Sequence, residues 1–150
     1  MKLPRTLIID ASILFSFFNK DSARRRIIEE LPNLGCELIS PEFAFKELMS
    51  DKEKIMKYGK INELSFSFLF SLLLRKVEPV SKKEYEEFMS EANKLSPHNK
   101  QTKDDPYFAL ALSFNLPIWS DEDEFKQQSK IEIFDTKDFV DTLKSLGYKF

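Results

Sequence analysis

The run Leu7-Ile8-Ile9-Asp10 constrains this chain more than any other stretch. Three consecutive apolar residues, with Pro4 before them and a helix-compatible run after, predict a short strand buried on both faces, as in the centre of a parallel sheet. In open α/β sheets the ligand crevice lies at the carboxyl ends of the strands, so a strand that stops on a carboxylate aims an acid at that crevice. A lone buried carboxylate is costly, which directs attention to distant acids and to a cation that could join Asp10. Asp is also a preferred helix N-cap, and Asp10 could serve the helix that follows instead.

The remaining elements return repeatedly to the same sheet edge. Residues 11–18, with Ile13, Leu14, Phe15, Phe17 and Phe18, predict a buried helix, and Asp21 or Ser22 can cap a second helix that runs to Leu31. Cys36 to Ser40 reads as a second strand, and Pro41 opens a helix to Ser50 that carries Glu47. A charged helix follows over 51–59. Ile61 to Leu74 has an ambiguous period: Leu64, Phe66, Phe68, Phe70, Leu72 and Leu74 alternate as in a strand, while Leu69 and Leu73 suit a helix apolar all round. Its length favours a helix, whose uncovered part would be a surface for a second copy. Val77 to Val80 is extended, and Ser81 with Glu84 has capping-box spacing for a helix to about Leu95. Ser96 to Asn99 reads as a loop, with His98 in it. A helix from near Asp104 to Pro106, a strand at Ile118-Trp119, a strand over 131–134 and a helix from Asp138 to Leu146 complete the series.

The 150 residues correspond to one domain spanning 1–150. One cysteine, Cys36, offers no disulfide within the chain, and no leader precedes Leu7, so a cytoplasmic protein is expected. The stretch Leu64 to Leu74 is broken by Ser65, Ser67 and Ser71 and is far shorter than the ~20 residues of a membrane span, so no membrane association is expected. A net charge of −2 argues against a protein that coats nucleic acid with a basic surface, but not against an enzyme that acts on it. Arg24-Arg25-Arg26, Lys82-Lys83 and Lys100 with Lys103 are candidate basic flanks or solvated helix faces.

Asp10, an acid near 104 and the acids after Trp119 fall at strand ends or helix starts, and Glu47 lies about two turns past the second strand. Carboxylates without histidine or cysteine suit hard divalent cations such as magnesium and manganese. Such ions lower the pKa of bound water and stabilise the attacking and leaving oxygens of phosphodiester hydrolysis. With His98 the only histidine and Cys36 the only thiol, a histidine-based triad or a zinc site has little material. No glycine-rich phosphate loop is present in the sequence.

Four pieces together resemble the PIN-domain family of metal-dependent ribonucleases, which includes VapC-type toxins. They are Leu7-Ile8-Ile9-Asp10 with Ser12, Ile39-Ser40-Pro41 leading to Glu47, Asp104 to Leu112, and Ile118-Trp119-Ser120 with its acids and Phe125. The resemblance implies a three-layer α/β/α domain with a twisted parallel sheet of about five strands. It implies RNA hydrolysis with Mg2+ or Mn2+, leaving a 5′-phosphate and a 3′-hydroxyl. Carried over position by position, it gives Asp10 and Glu47 as metal-binding and catalytic residues. Its third acid stands five residues ahead of an Ala-x-Ala pair, so Ala109-Leu110-Ala111 selects Asp104, leaving Asp105 as the candidate helix cap. Its fourth motif is a Ser or Thr, one residue, an Asp and a Phe three residues on. Ser120 and Phe125 match, which puts Glu122 at the Asp position with Asp121 beside it, and either can be the ligand. Ser12 and Ser120 match the family's supporting hydroxyls. A VapC-type toxin would also have an antitoxin partner, which would insert a basic side chain among the acids, and would form a homodimer.

The competing expectation is a non-catalytic PIN module that binds RNA or a protein partner, favoured by the unusual Glu122. A receiver-like signalling domain also ends a strand on Asp, but it requires an acidic pair immediately after the first strand, and this chain has none there.

Overall fold

The computed structural model describes residues 1–97 and 102–150. Five parallel strands form one sheet in the order β3-β2-β1-β4-β5. They are β1 (Thr6–Ile9), β2 (Glu37–Pro41), β3 (Val77–Val80), β4 (Ile118–Trp119) and β5 (Ile133–Phe134). Successive side chains of a strand point to opposite faces, yet Leu7, Ile8 and Ile9 are all fully buried, so helices cover both sides of β1. The sheet with helices on each face is the expected three-layer α/β/α arrangement.

Strand order fixes where the crevice falls. From β1 the chain builds outward through β2 and β3, then returns to lay β4 on the other flank of β1. The reversal of direction lies between β1 and β4, the place where open α/β sheets bind ligands. Ile9 is in register with Trp119, so Asp10 and Ser120 leave the sheet side by side at that point.

The predicted helix over 11–18 is a short α1 (Ala11–Phe15) that tightens into a 3-10 turn at Ser16–Phe18. Next comes α2 (Ala23–Glu30), whose cap is Ser22, its hydroxyl accepting from the Arg24 N–H at 3.2 Å. Directly after β2, α3 (Glu42–Ser50) begins, and α4 (Lys52–Gly59) follows. The ambiguous apolar segment is helix α5 (Glu63–Lys76), capped by Asn62. It buries Phe66, Leu69 and Leu73 but leaves Leu64 and Phe68 exposed, at 80% and 67%. No helix among the described residues is long and apolar enough to cross a membrane.

Between β3 and the next helix the capping-box expectation fails. Ser81 makes no side-chain cap bond, and two 3-10 turns, Lys82–Glu84 and Glu86–Phe88, precede a short α6 (Met89–Leu95). Tyr85 leaves the helical region, at φ −134°, and its ring is almost fully buried, so burial of this aromatic overrides the local cap. The nearly all-buried α7 (Asp105–Phe114) packs on β1 and β2, with α6 against it. The last strand is shorter than expected, and α8 (Thr136–Ser145) starts earlier than Asp138. Asp138 instead closes a capping box with the N-cap Asp135, which sets the helix start at Thr136, two residues upstream. The expected loop at His98 and Asn99, and Lys100, lie outside the described residues.

Candidate functional site

Asp10 leaves β1 in extended conformation, at φ −70° and ψ 151°, with only 3% of its surface exposed. It occupies the N-cap position of α1, but its side chain makes no cap bond. One oxygen, Oδ2, instead accepts two hydroxyl hydrogen bonds, from Ser12 Oγ and from Ser120 Oγ, each at 2.9 Å. Ser120 Oγ also accepts from the Glu122 N–H at 3.1 Å, which ties the turn after β4 to the end of β1. Behind them the buried Ser40 donates to the Ile9 carbonyl at 2.7 Å, fixing β2 against the same strand end.

A cavity of about 220 Å3 opens at this point, lined by Asp10, Ser12, Glu47, Lys103, Asp104, Tyr107 and Glu122. Four carboxylates from four separate parts of the chain therefore face one space. Burial pushes the Asp10 carboxyl up to about 7; the Ser120 hydrogen bond opposes that, and the charges of Glu122 and Asp104 add to it. Glu47, on the α3 face turned to the cavity, is raised by burial, with Lys103 opposing and Asp51 adding. Among the described residues no group of three or more acidic, histidine or cysteine side chains forms a ready-made metal cage.

Tyr107 lies at the cavity wall with 1% of its surface exposed, and its hydroxyl has no hydrogen-bond partner among the described residues. Burial, then the charges of Asp10, Glu47 and Asp104, hold this phenol well above its ordinary range, so it stays protonated and can only be a donor or a neutral acceptor. An orphaned donor facing carboxylates, and a desolvated carboxylate with a raised pKa, both fit a cavity that takes up a cation with its water or oxygen ligands. The donor set is all oxygen, the set that magnesium and manganese prefer.

A model of the PIN domain matches residues 8–139, nearly the whole chain. The chain belongs to the PIN-domain family. A solved structure similar to this PIN domain is a chain of the VapBC2 complex from Rickettsia felis, bound to a DNA fragment from their promoter. The two share 12% identity at a TM-score of 0.67, over 87% of this chain and 98% of that one, a likeness of fold. Comparison with curated proteins by sequence finds no significant match.

In this PIN domain the acids singled out in the sequence separate into two environments. Asp10, Glu47, Asp104 and Glu122 line the cavity. Asp121 does not: its Oδ2 accepts from Arg24 Nε at 2.6 Å and from Thr136 Oγ1 at 2.5 Å, and its Oδ1 accepts from the Thr136 N–H at 2.7 Å. Burial alone would raise the Asp121 pKa, but the Thr136 and Arg24 hydrogen bonds outweigh it and lower it below the usual carboxylate range. Asp105 is not the helix cap expected of it. It opens α7, buried, and accepts from Asn93 Nδ2 of α6 at 2.9 Å, because that neighbouring amide is the partner within reach. Tyr107 is absent from the sequence reading. The signal that could have found it is its place three residues after Asp104, the spacing that puts two side chains on one helix face.

Proposed function

We propose that this PIN domain is a divalent-metal-dependent endoribonuclease that hydrolyses RNA phosphodiesters. The observation that carries the reading is the convergence of Asp10, Glu47, Asp104 and Glu122 on one cavity at the switch point of the sheet. These four would hold Mg2+ or Mn2+, which when bound lowers the pKa of water and offsets charge on the phosphate. The rest falls to the chain's own groups. Ser12 and Ser120 orient Asp10 by fixing one of its oxygens, and the Glu122 N–H bond to Ser120 sets the turn that brings Glu122 to the cavity. Tyr107 offers a hydroxyl hydrogen from the wall, and Lys103 in the lining supplies positive charge. Asp121 serves as a strut between α2 and the start of α8.

The reading includes a VapC-type toxin role. An antitoxin would then place a basic side chain at the mouth of the acid cavity, and a second copy would cover Leu64 and Phe68 of α5. The direct test is a labelled single-stranded RNA incubated with manganese, with and without chelator. Metal-dependent fragments carrying a 5′-phosphate and a 3′-hydroxyl support it. Manganese binding with no turnover on varied RNAs would leave the non-catalytic module.

Two further outcomes follow from the separation of the acids. Glu122→Gln lowers cleavage by about tenfold or more, the worth of one charged interaction lost. Asp121→Asn keeps cleavage within a few-fold and instead lowers stability by about 1 kcal/mol, since its ion pair with Arg24 is partly exposed. Urea unfolding alongside initial cleavage rates separates the two. Tyr107→Phe removes one oxygen without changing shape. Metal-free stability is expected to hold or rise, while cleavage falls by about tenfold or more. A variant that loses stability but keeps its rate would make Tyr107 a packing residue only.

A further inference from the structure

Beside the acid cavity lies a second one of about 370 Å3. Its apolar wall is Phe43, Tyr85, Met89 and Pro106, and its positive charge comes from Lys82 and Lys103. Glu47 and Lys103 line both cavities, so the two adjoin. Phe43 and Glu47 stand four residues apart on α3, on one face of the helix, which places the aromatic one turn from an acid of the proposed centre. Phe43 is half-buried, so part of its surface stays open. Both lysines are exposed.

An aromatic with a free surface flanked by two ammonium groups, in a chain whose net charge is −2, suits a ligand that is at once planar and anionic. A nucleotide has both properties: its base stacks on an aromatic side chain and its phosphates pair with lysine. The aromatic of the acid cavity, Tyr107, is 1% exposed and so presents little ring face to a base.

We propose that this second cavity is the subsite for the nucleotide adjoining the scissile phosphate, its base laid against Phe43 and its phosphate held by Lys82 and Lys103. This rests on the hydrolase reading above. Stacking requires a base free of its duplex partners, so the subsite selects single-stranded RNA over double-stranded RNA, with little preference among bases.

The test compares adenosine 5′-monophosphate with ribose 5-phosphate, which lacks the base, by calorimetry in manganese, with single-stranded RNA cleavage measured on the same preparation. The wild type should bind the nucleotide about tenfold more tightly, the value of one stacked base. Phe43→Leu should erase that difference, Phe43→Tyr should restore it, and Lys82→Ala should weaken both ligands by a similar factor. Thermal melts of each variant check the fold. Equal binding of the two ligands by the wild type, or a difference that survives Phe43→Leu, overturns the subsite. If RNA is still cleaved, the hydrolase reading stands without it. No cleavage and no binding of either ligand overturns both.

Discussion

Asp10→Asn lowers metal-dependent RNA cleavage by about 100-fold to 1,000-fold while the protein folds and, without metal, becomes more stable near neutral pH. The two halves of this result have one origin. Asp10 is buried, and both of its hydroxyl partners bind a single oxygen, which the carboxamide oxygen of asparagine can replace. What asparagine cannot supply is the charge. In the folded chain the Asp10 carboxyl is raised to about 7, chiefly by burial, whereas in the unfolded chain it titrates near ~4. The folded state therefore holds the proton more tightly. Between about pH 4 and pH 7 the metal-free protein loses stability as pH rises, by up to about 4 kcal/mol, and the loss is complete above that window. The variant has no such slope. Urea midpoints across pH, with chelator present, measure it. A wild type whose stability is flat from pH 4 to 7 would contradict the burial of an uncompensated charge.

Trp119→Ala gives the second large effect, a loss of about 3–5 kcal/mol. The indole is fully buried on β4, its ring 5.1 Å from that of Phe139 on α8, and its Nε1 donates to Thr136 Oγ1 at 3.1 Å. Thr136 is the residue that holds Asp121, and Ser120, next in sequence to Trp119, holds Asp10. The cavity left by alanine therefore loosens the strand end that carries the site. For a domain of this size the melting temperature falls by roughly 10 °C. Cleavage should fall as well at temperatures where the variant is still folded. A variant within 1 kcal/mol of wild type, a threshold of about one ordinary contact, would show that β4 is not held by this ring.

The parts of the fold that rest on local pattern are legible in the sequence. Leu7-Ile8-Ile9 declares a doubly covered strand, and Pro41 marks the junction of β2 and α3. The two-residue strand β4 is also found, because Ile118 and Trp119 are bounded by Pro117 and a run of acids. Where distant side chains decide, the sequence is silent. Ser81 and Glu84 have the spacing of a capping box, but burial of Tyr85 breaks the helix between them. Asp121 and Glu122 are adjacent acids on one turn, and nothing local distinguishes them. Arg24, 97 residues away, and Thr136 engage Asp121, while Glu122 faces the cavity. Tyr107 reads as one more apolar residue of a buried helix. Only the assembled cavity shows that its hydroxyl stands in the field of three carboxylates without a hydrogen-bond partner among the described residues.

Calorimetric titration of manganese into the wild type and Asp10→Asn decides whether the converging acids bind a divalent cation. Saturable binding is expected of the wild type, abolished or greatly weakened in the variant. Binding that is equal in the two proteins, or absent from the wild type, would contradict a metal centre at these acids.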